Sequence, residues 1–373
     1  MTARTYLDHA ASSPCEPGVV EAMAEAFAVA GNPSSLHASG RRARRVLEDA
    51  RDSLAADLGV LPGEVVFTSG GTEANNLALL GARPPWRPGL AVSAVEHPSV
   101  SAVRERLPGV AVLPVTTTGH LDLDAVAALL DARTGLVSVM WVNNETGAIQ
   151  PVAEAAALAH AAGALAHSDA VQAFGHLPVD IAASGLDLAS VSAHKLGGPV
   201  GIGALVVRRG TPLSPQGFGG GQEARLRSGT VPVALAAGFA AASRLASVRR
   251  ESEAVRLGRL RDRLIAGAVA AVPDVRVNTV GPCSPAIANL TFSGARADDV
   301  LLLLDAEGFD ASTGSACSAG VHQPSEVLVA MGRSVDDAGS SLRFSFGPDT
   351  ADAAIDALLA VLPGVVARAR SAA

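Results

Sequence analysis

Short runs of apolar and β-branched residues recur through the first part of the chain, at 65–68, 90–94, 110–115, 136–142, 164–168, 188–192 and 202–207. Alanine-rich stretches of helical length separate many of them. A helix between two strands carries the chain back across a sheet, so strands joined this way run in the same direction. The pattern predicts an α/β domain on a mostly parallel sheet. From 241 to 272, Leu245, Val248, Val255, Leu260 and Leu264 fall at helical spacing among charged residues, which predicts a long amphipathic helix leading to a second unit. Beyond it, strand-like segments at 287–292 and 342–345 mix with helical ones at 298–307 and 351–362, the pattern of a smaller α+β unit. The expected division is a large domain over 1–250 and a small one over 251–373, with the first fifteen or so residues packing against the small one.

The length of 373 residues suits two domains, and a composition that is 49% hydrophobic and 17% charged excludes a disordered chain. A net charge of −7 provides no basic footprint for nucleic acid or an anionic membrane. The uncharged stretch 277–295 is broken by Gly281, Pro282 and Pro285 and is no membrane span. No apolar leader follows Met1, so a cytoplasmic location is expected. Cys15, Cys283 and Cys317 are too widely spaced for a disulfide framework or a zinc site, so no metal is expected and at least one thiol should be free.

Among 29 basic residues there is one lysine, Lys195; the rest are arginine. An exposed cation needs only its charge, and arginine supplies it. A lysine that must deprotonate and attack a carbonyl has no such substitute, because guanidinium stays charged. Lys195 follows the apolar run 188–192 and precedes Gly197-Gly-Pro199, which places it at a strand end, where the sites of α/β sheets gather. It reads as a Schiff-base-forming amine, the commonest chemistry of a nucleophilic lysine.

Other segments read as strand followed by a polar turn. Ser69-Gly-Gly-Thr72 precedes a helix and forms a plausible phosphate cup without the lysine of a P-loop. Asp169 and Gln172 follow another strand; Asp169 either holds a protonated ring nitrogen or caps the next helix. His97, in Glu96-His-Pro98, is a stacking or proton-shuttling residue or a structural one. Cys317 lies in the small-residue run Gly314-Ser-Ala-Cys317, where a mobile loop is expected and a buried thiol is the alternative. Arg343 in an apolar strand calls for a carboxylate, either a ligand's or an internal one.

Together these segments resemble the cysteine desulfurases of the NifS/IscS type, pyridoxal-phosphate (PLP) enzymes of the class V aminotransferase group. The resemblance runs in order through Tyr6-Leu-Asp-His-Ala-Ala-Ser-Ser-Pro14, Gly31-Asn-Pro-Ser-Ser-Leu-His37, Ser69-Gly-Gly-Thr-Glu-Ala-Asn-Asn76, Glu96-His-Pro98, Asn143-Asn-Glu-Thr-Gly147, Ser168-Asp-Ala-Val-Gln172, Ser192-Ala-His-Lys195, the glycine-rich 219–230, Gly314-Ser-Ala-Cys317 and Leu342-Arg-Phe-Ser345. His9 and Ser12 depart from the family's usual Asn and Thr, which bears on the N-terminal contacts.

The resemblance implies the aspartate aminotransferase-like fold, with a seven-stranded sheet in its large domain. It implies that Lys195 holds PLP covalently and later moves protons, that Asp169 pairs with the ring nitrogen and Gln172 with the phenolic oxygen, and that His97 stacks on the ring and serves in proton transfer. Gly71, Thr72, Ser192 and His194 would hold the phosphate, joined by Thr230 from the other subunit of a homodimer. Arg343 and Asn144, with Asn32 nearby, would bind the carboxylate of L-cysteine, and Asn144 would also touch the cofactor. Cys317 would take the sulfur as a persulfide, leave alanine as product, and pass sulfur to an acceptor protein of iron–sulfur assembly or tRNA thiolation. Selenocysteine lyases and other class V enzymes share the lysine and the ring contacts and are the alternative.

Overall fold

The computed structural model describes residues 4–314 and 323–372; Cys317 lies outside the described residues. The strands of the first part are β1 (Thr5–Tyr6), β2 (Val65–Thr68), β3 (Gly89–Ser93), β4 (Ala111–Leu113), β5 (Thr134–Ser138), β6 (Leu165–Asp169), β7 (Leu188–Ser192) and β8 (Gly203–Val207). All but β1 form one sheet in the order β2-β8-β7-β6-β5-β3-β4. Pairing is parallel from β4 through β7, while β8 is antiparallel to both β7 and β2. The mostly parallel seven-stranded sheet is as the sequence predicts. Every residue of β2, β5, β7 and β8 is buried, as expected for strands covered by helices on both faces.

Because β2, β3, β5, β6 and β7 share a direction, their C-terminal ends lie along one edge. At or just beyond these ends lie Gly71, His97, Asn144, Asp169 and Lys195. Sheet topology alone therefore brings residues far apart in sequence to one crevice.

The remaining strands are β9 (Val275–Val277), β10 (Ile287–Phe292), β11 (Phe309–Asp310) and β12 (Ser341–Ser345). β10 pairs antiparallel with β9 and β12, and β11 pairs in parallel with β1. Around this sheet lies a second core with Leu7, Leu260, Phe292, Phe344 and Phe346. Each of those phenylalanines is fully buried and contributes about 1.5–3 kcal/mol of burial free energy.

The helix Val233–Ala271 joins the two cores. Ala236, Phe239 and Ala246 belong to the first; Leu257, Leu260, Leu264 and Ala268 belong to the second. It starts earlier than the charged, leucine-spaced segment predicts, because its first turns are apolar all round and are packed against the helices Pro17–Phe27 and Ala38–Leu58. The last helix, Asp352–Ala372, also exceeds the expected end at 362. Pro363 interrupts its backbone bonding, but Val365, Val366 and Ala369 beyond it are buried in the second core, which holds the helix together past the proline.

One buried ion pair ties the edge strand to the glycine-rich segment 219–230. Glu223 accepts from Arg51 Nη1 and Nη2 at 2.8 Å each and from the Phe67 amide at 2.8 Å, and Arg51 lies over the Phe67 ring. Removing one member of such a pair strands the other charge away from water. Glu223→Ala is expected to lower unfolding free energy by about 3–5 kcal/mol, read as a lower urea midpoint; an unchanged midpoint would show the pair to be dispensable.

Candidate active site

A cavity of about 300 Å³ opens at this edge, lined by Gly71, Thr72, His97, Asn144, Asp169, Gln172, Ser192, His194 and Lys195, with Ala11, Asn75, Ser99, Met140 and Val171. A second cavity of about 450 Å³ shares Ala11, His97, Asn144 and Lys195 with it and continues to Glu145, Arg343, Gly314 and Gln323. Gly314 and Gln323 are the described residues on either side of the segment that contains Cys317.

The Lys195 amine donates to the carbonyls of Ala10 and Ala11. Burial pushes it down to about 8; the Arg343 charge adds to this, while Asp169 and Asp8 oppose it. An amine with its pKa lowered to about 8 has far more of the neutral, nucleophilic form near physiological pH than an ordinary lysine.

Asp169 Oδ2 accepts from Asn75 Nδ2 at 2.7 Å and Oδ1 from the Val171 amide at 3.0 Å. The alternative that it caps the next helix is not what the structure shows: the next helix in sequence is Val233–Ala271, and Asp169 ends β6 and lines the cavity. Gln172 Nε2 donates to the Ala10 carbonyl at 2.7 Å. Burial lowers His97, with Lys195 adding and Asp169 opposing, and lowers His194 to about 4, so both rings are neutral at pH 7. Behind His97, burial pushes Glu96 up to about 8; its Oε1 accepts from Ser93 Oγ at 2.8 Å and the Met140 amide at 2.7 Å.

Arg343, on β12, donates to the Asn144 carbonyl at 2.8 Å and to Asp8 Oδ1 at 2.5 Å, so an internal carboxylate is present. Its Nε is buried without a partner among the described residues. Asn32 and Thr230 are exposed and line neither cavity; Asn32 Oδ1 accepts from the Ser34 amide. His9 is buried outside the inner cavity, with Nε2 3.1 Å from Asp349 and its ring edge-on to Tyr6. It presses on Gly347, where a Cβ would come within 2.2 Å of the imidazole, so this position requires glycine.

Several features fit a phosphorylated, planar cofactor. Ser192 Oγ is buried, belongs to a residue that lines the cavity, and has no partner among the described residues. The helix Gly71–Gly81 begins with no side-chain cap, leaving first-turn amides for an anion. A Cβ on Gly71 would stand 2.8 Å from Val171 Cγ2, so a side chain there would fill the cradle.

The class-V aminotransferase model matches residues 5–358. The chain belongs to the class-V aminotransferase family. An IscS-like cysteine desulfurase of Mycobacterium tuberculosis is 47% identical, with 99% of this chain and 98% of the relative covered. The cysteine desulfurase IscS of Dictyoglomus turgidum is 39% identical over 100% of this chain and 96% of its own. Among solved structures, a NifS-like protein from Rickettsia africae has a TM-score of 0.89 at 32% identity, with 97% of this chain and 99% of that one covered. Class-V aminotransferases are pyridoxal-phosphate enzymes, in keeping with the phosphate-ready cradle beside the lysine.

Sequence reasoning missed Asn75, Ser99, Met140, Glu96 and Asp8 as contributors. Asn75 carried a signal: it lies four residues after Gly71, on the same face of the helix that opens the phosphate cup.

Because the chain has one lysine, its amine can be titrated alone among side chains. Reductive methylation of the cofactor-free protein should follow a midpoint near 8 for Lys195; a midpoint near 10.5, the ordinary value, would contradict its burial. Between these values the unfolded chain keeps a proton that the folded chain has released, so this residue makes stability rise with pH across that window.

Proposed function

We propose that this chain is a PLP-dependent cysteine desulfurase that converts L-cysteine to L-alanine and carries the sulfur as a persulfide on Cys317. The observation that carries the reading is the position of the sole lysine: its desolvated side chain and Asp169 line one cavity, together with Ser192, whose hydroxyl has no partner among the described residues. The names and full-length coverage of the relatives support the substrate assignment.

Lys195 would hold the cofactor covalently and then, freed as an amine, move a proton at the substrate's Cα. Gly71, Thr72, Ser192 and His194 would hold the phosphate, and Thr230 of the partner subunit would complete the cup in a homodimer. When bound, the cofactor supplies an electron sink for the substrate Cα. Asp169 keeps the proton on its ring nitrogen, and Asn75 orients that carboxylate. Gln172 and Asn144 would face the ring's polar edge while His97 packs on its face. Arg343 offers the substrate carboxylate a guanidinium whose desolvation is already complete, with Asn144 beside it and Asn32 at the rim.

The chemistry balances without an external oxidant. The Cβ–S bond of cysteine breaks and an S–S bond to Cys317 forms; the sulfur is oxidised by two electrons and the carbon chain is reduced by two, giving alanine. The persulfide then goes to an acceptor protein of iron–sulfur assembly or tRNA thiolation. A cytoplasmic location agrees with the free thiols of Cys15 and Cys283.

Three measurements test the reading. Incubation with L-cysteine and a thiol reductant should release alanine and sulfide in equal amounts; a PLP-loaded protein that releases neither would overturn the substrate. Cys317→Ala should keep the cofactor spectrum and lose persulfide formation, and unimpaired alanine release by that variant would sink the Cys317 step. Lys195→Arg keeps the charge but should lose all borohydride-fixed cofactor.

A further inference from the structure

His97 is held by a chain of hydrogen bonds that fixes which of its nitrogens carries the proton. The backbone amide of Ser99 donates to His97 Nδ1 at 3.1 Å. An amide N–H has no alternative role, so Nδ1 is an acceptor and carries no hydrogen. The Ser99 hydroxyl lies 2.8 Å from the same nitrogen. That hydroxyl accepts from Asn75 Nδ2 at 2.8 Å, and because Nδ1 carries no hydrogen, Ser99 Oγ is the donor to it. Asn75 uses its other amide hydrogen on Asp169 Oδ2 at 2.7 Å, and this carboxylate sets the orientation of the amide: turned over, the amide oxygen would face Asp169. The opposite atom, Asn75 Oδ1, is left buried with no partner, a cost retained in order to keep the amino group between Ser99 and Asp169.

We infer that Asn75 and Ser99 are positioning residues that lock His97 as the neutral Nε2–H tautomer and couple it to Asp169. Nε2 makes no hydrogen bond among the described residues, and His97 lines both cavities. In the resting enzyme His97 is therefore a hydrogen-bond donor toward whatever acceptor lies over the cavity. It does not take protons there: Nε2 has no free lone pair, and Nδ1 is covered by two donors. The duty of base falls to Lys195, whose amine lines the same cavity and gives up its proton more readily than an ordinary lysine, since burial lowers it to about 8. A neutral imidazole used as a donor fits its burial beside a lysine, where an imidazolium would be disfavoured.

The inference rests on the function proposed above only for its consequence in catalysis; the tautomer itself is a property of the folded chain with or without cofactor. Nitrogen-15 spectra of histidine-labelled protein test it, with the His97 signals assigned by their disappearance in His97→Gln. The expected pattern, in both cofactor-free and PLP-loaded protein, is an unprotonated Nδ1 and a protonated Nε2. A protonated Nδ1, or a cationic ring at pH 7, would overturn the inference and leave the desulfurase reading standing. Conversely, a protein without cysteine-dependent alanine release but with the Nε2–H pattern would sink that reading alone. Asn75→Ala should lower kcat by about five- to tenfold, the effect of one hydrogen bond, with KM for L-cysteine held within about twofold. A variant that folds, binds PLP and keeps the full kcat would show that Asn75 positions nothing.

Discussion

Everything at this site depends on keeping one lysine amine out of water. An ammonium at the end of β7 would be stable only if solvated or paired, and here its nearest partners are two backbone carbonyls, those of Ala10 and Ala11. Those carbonyls come from the N-terminal segment, whose neighbouring residues do other work. Leu7 is buried in the second core, Asp8 holds Arg343, and the Ala10 carbonyl also receives Gln172. Ser13 Oγ donates to the Lys195 carbonyl at 3.1 Å from the other side. The segment is thus a strap across the mouth of the sheet, anchored in the second core and closed over the first. Its contacts make the amine's low pKa, the orientation of Gln172 and the position of Arg343 parts of one arrangement.

The architecture was legible in the sequence because its signals are local and repeated. Each inner strand of the large sheet is an apolar run bounded by turn residues, and each candidate side chain at 71, 97, 144, 169 and 195 follows such a run. Parallel order then does the rest without further information. Lys195 was legible for a different reason, since no surface role prevented arginine from replacing every other lysine. The elements missed are those that local pattern cannot encode: the two- and three-residue strands β1, β9 and β11, the apolar start of the long helix, and its counterpart beyond Pro363. The short strands are set by pairing with distant segments and the helix extensions by tertiary burial, neither of which is a local periodicity.

Pairing was less legible than position. Arg343 in an apolar strand announces a carboxylate, but the sequence offers no means of choosing between a ligand and Asp8, which is 335 residues away. The structure contains the internal partner and also leaves Nε buried and unpaired among the described residues, so the guanidinium is neither fully satisfied nor free. Such a group binds an incoming carboxylate without first shedding water. Asn32 and Thr230, by contrast, were carried by resemblance alone, and both are exposed away from the cavities of their own chain.

The buried acids show how the charge of Lys195 is balanced without quenching its chemistry. Burial raises Glu96 and Glu145, and Ser325 Oγ donates to Glu145 Oε2 at 2.5 Å. Were both ionised, the outer cavity would hold two further anions, which favour the charged form of a neighbouring amine. With burial pushing Glu96 up to about 8, Asp169 and Asp8 are the carboxylates whose charge bears on the lysine, and of these Asp169 lines the inner cavity. Asp169 is held by Asn75 and a backbone amide rather than by a cation, so its charge stays available to a protonated group that enters the cavity. A site arranged in this way keeps its negative charge on one side of a ligand and its nucleophile on the other, a separation that a mobile ion pair between Asp169 and Lys195 would destroy.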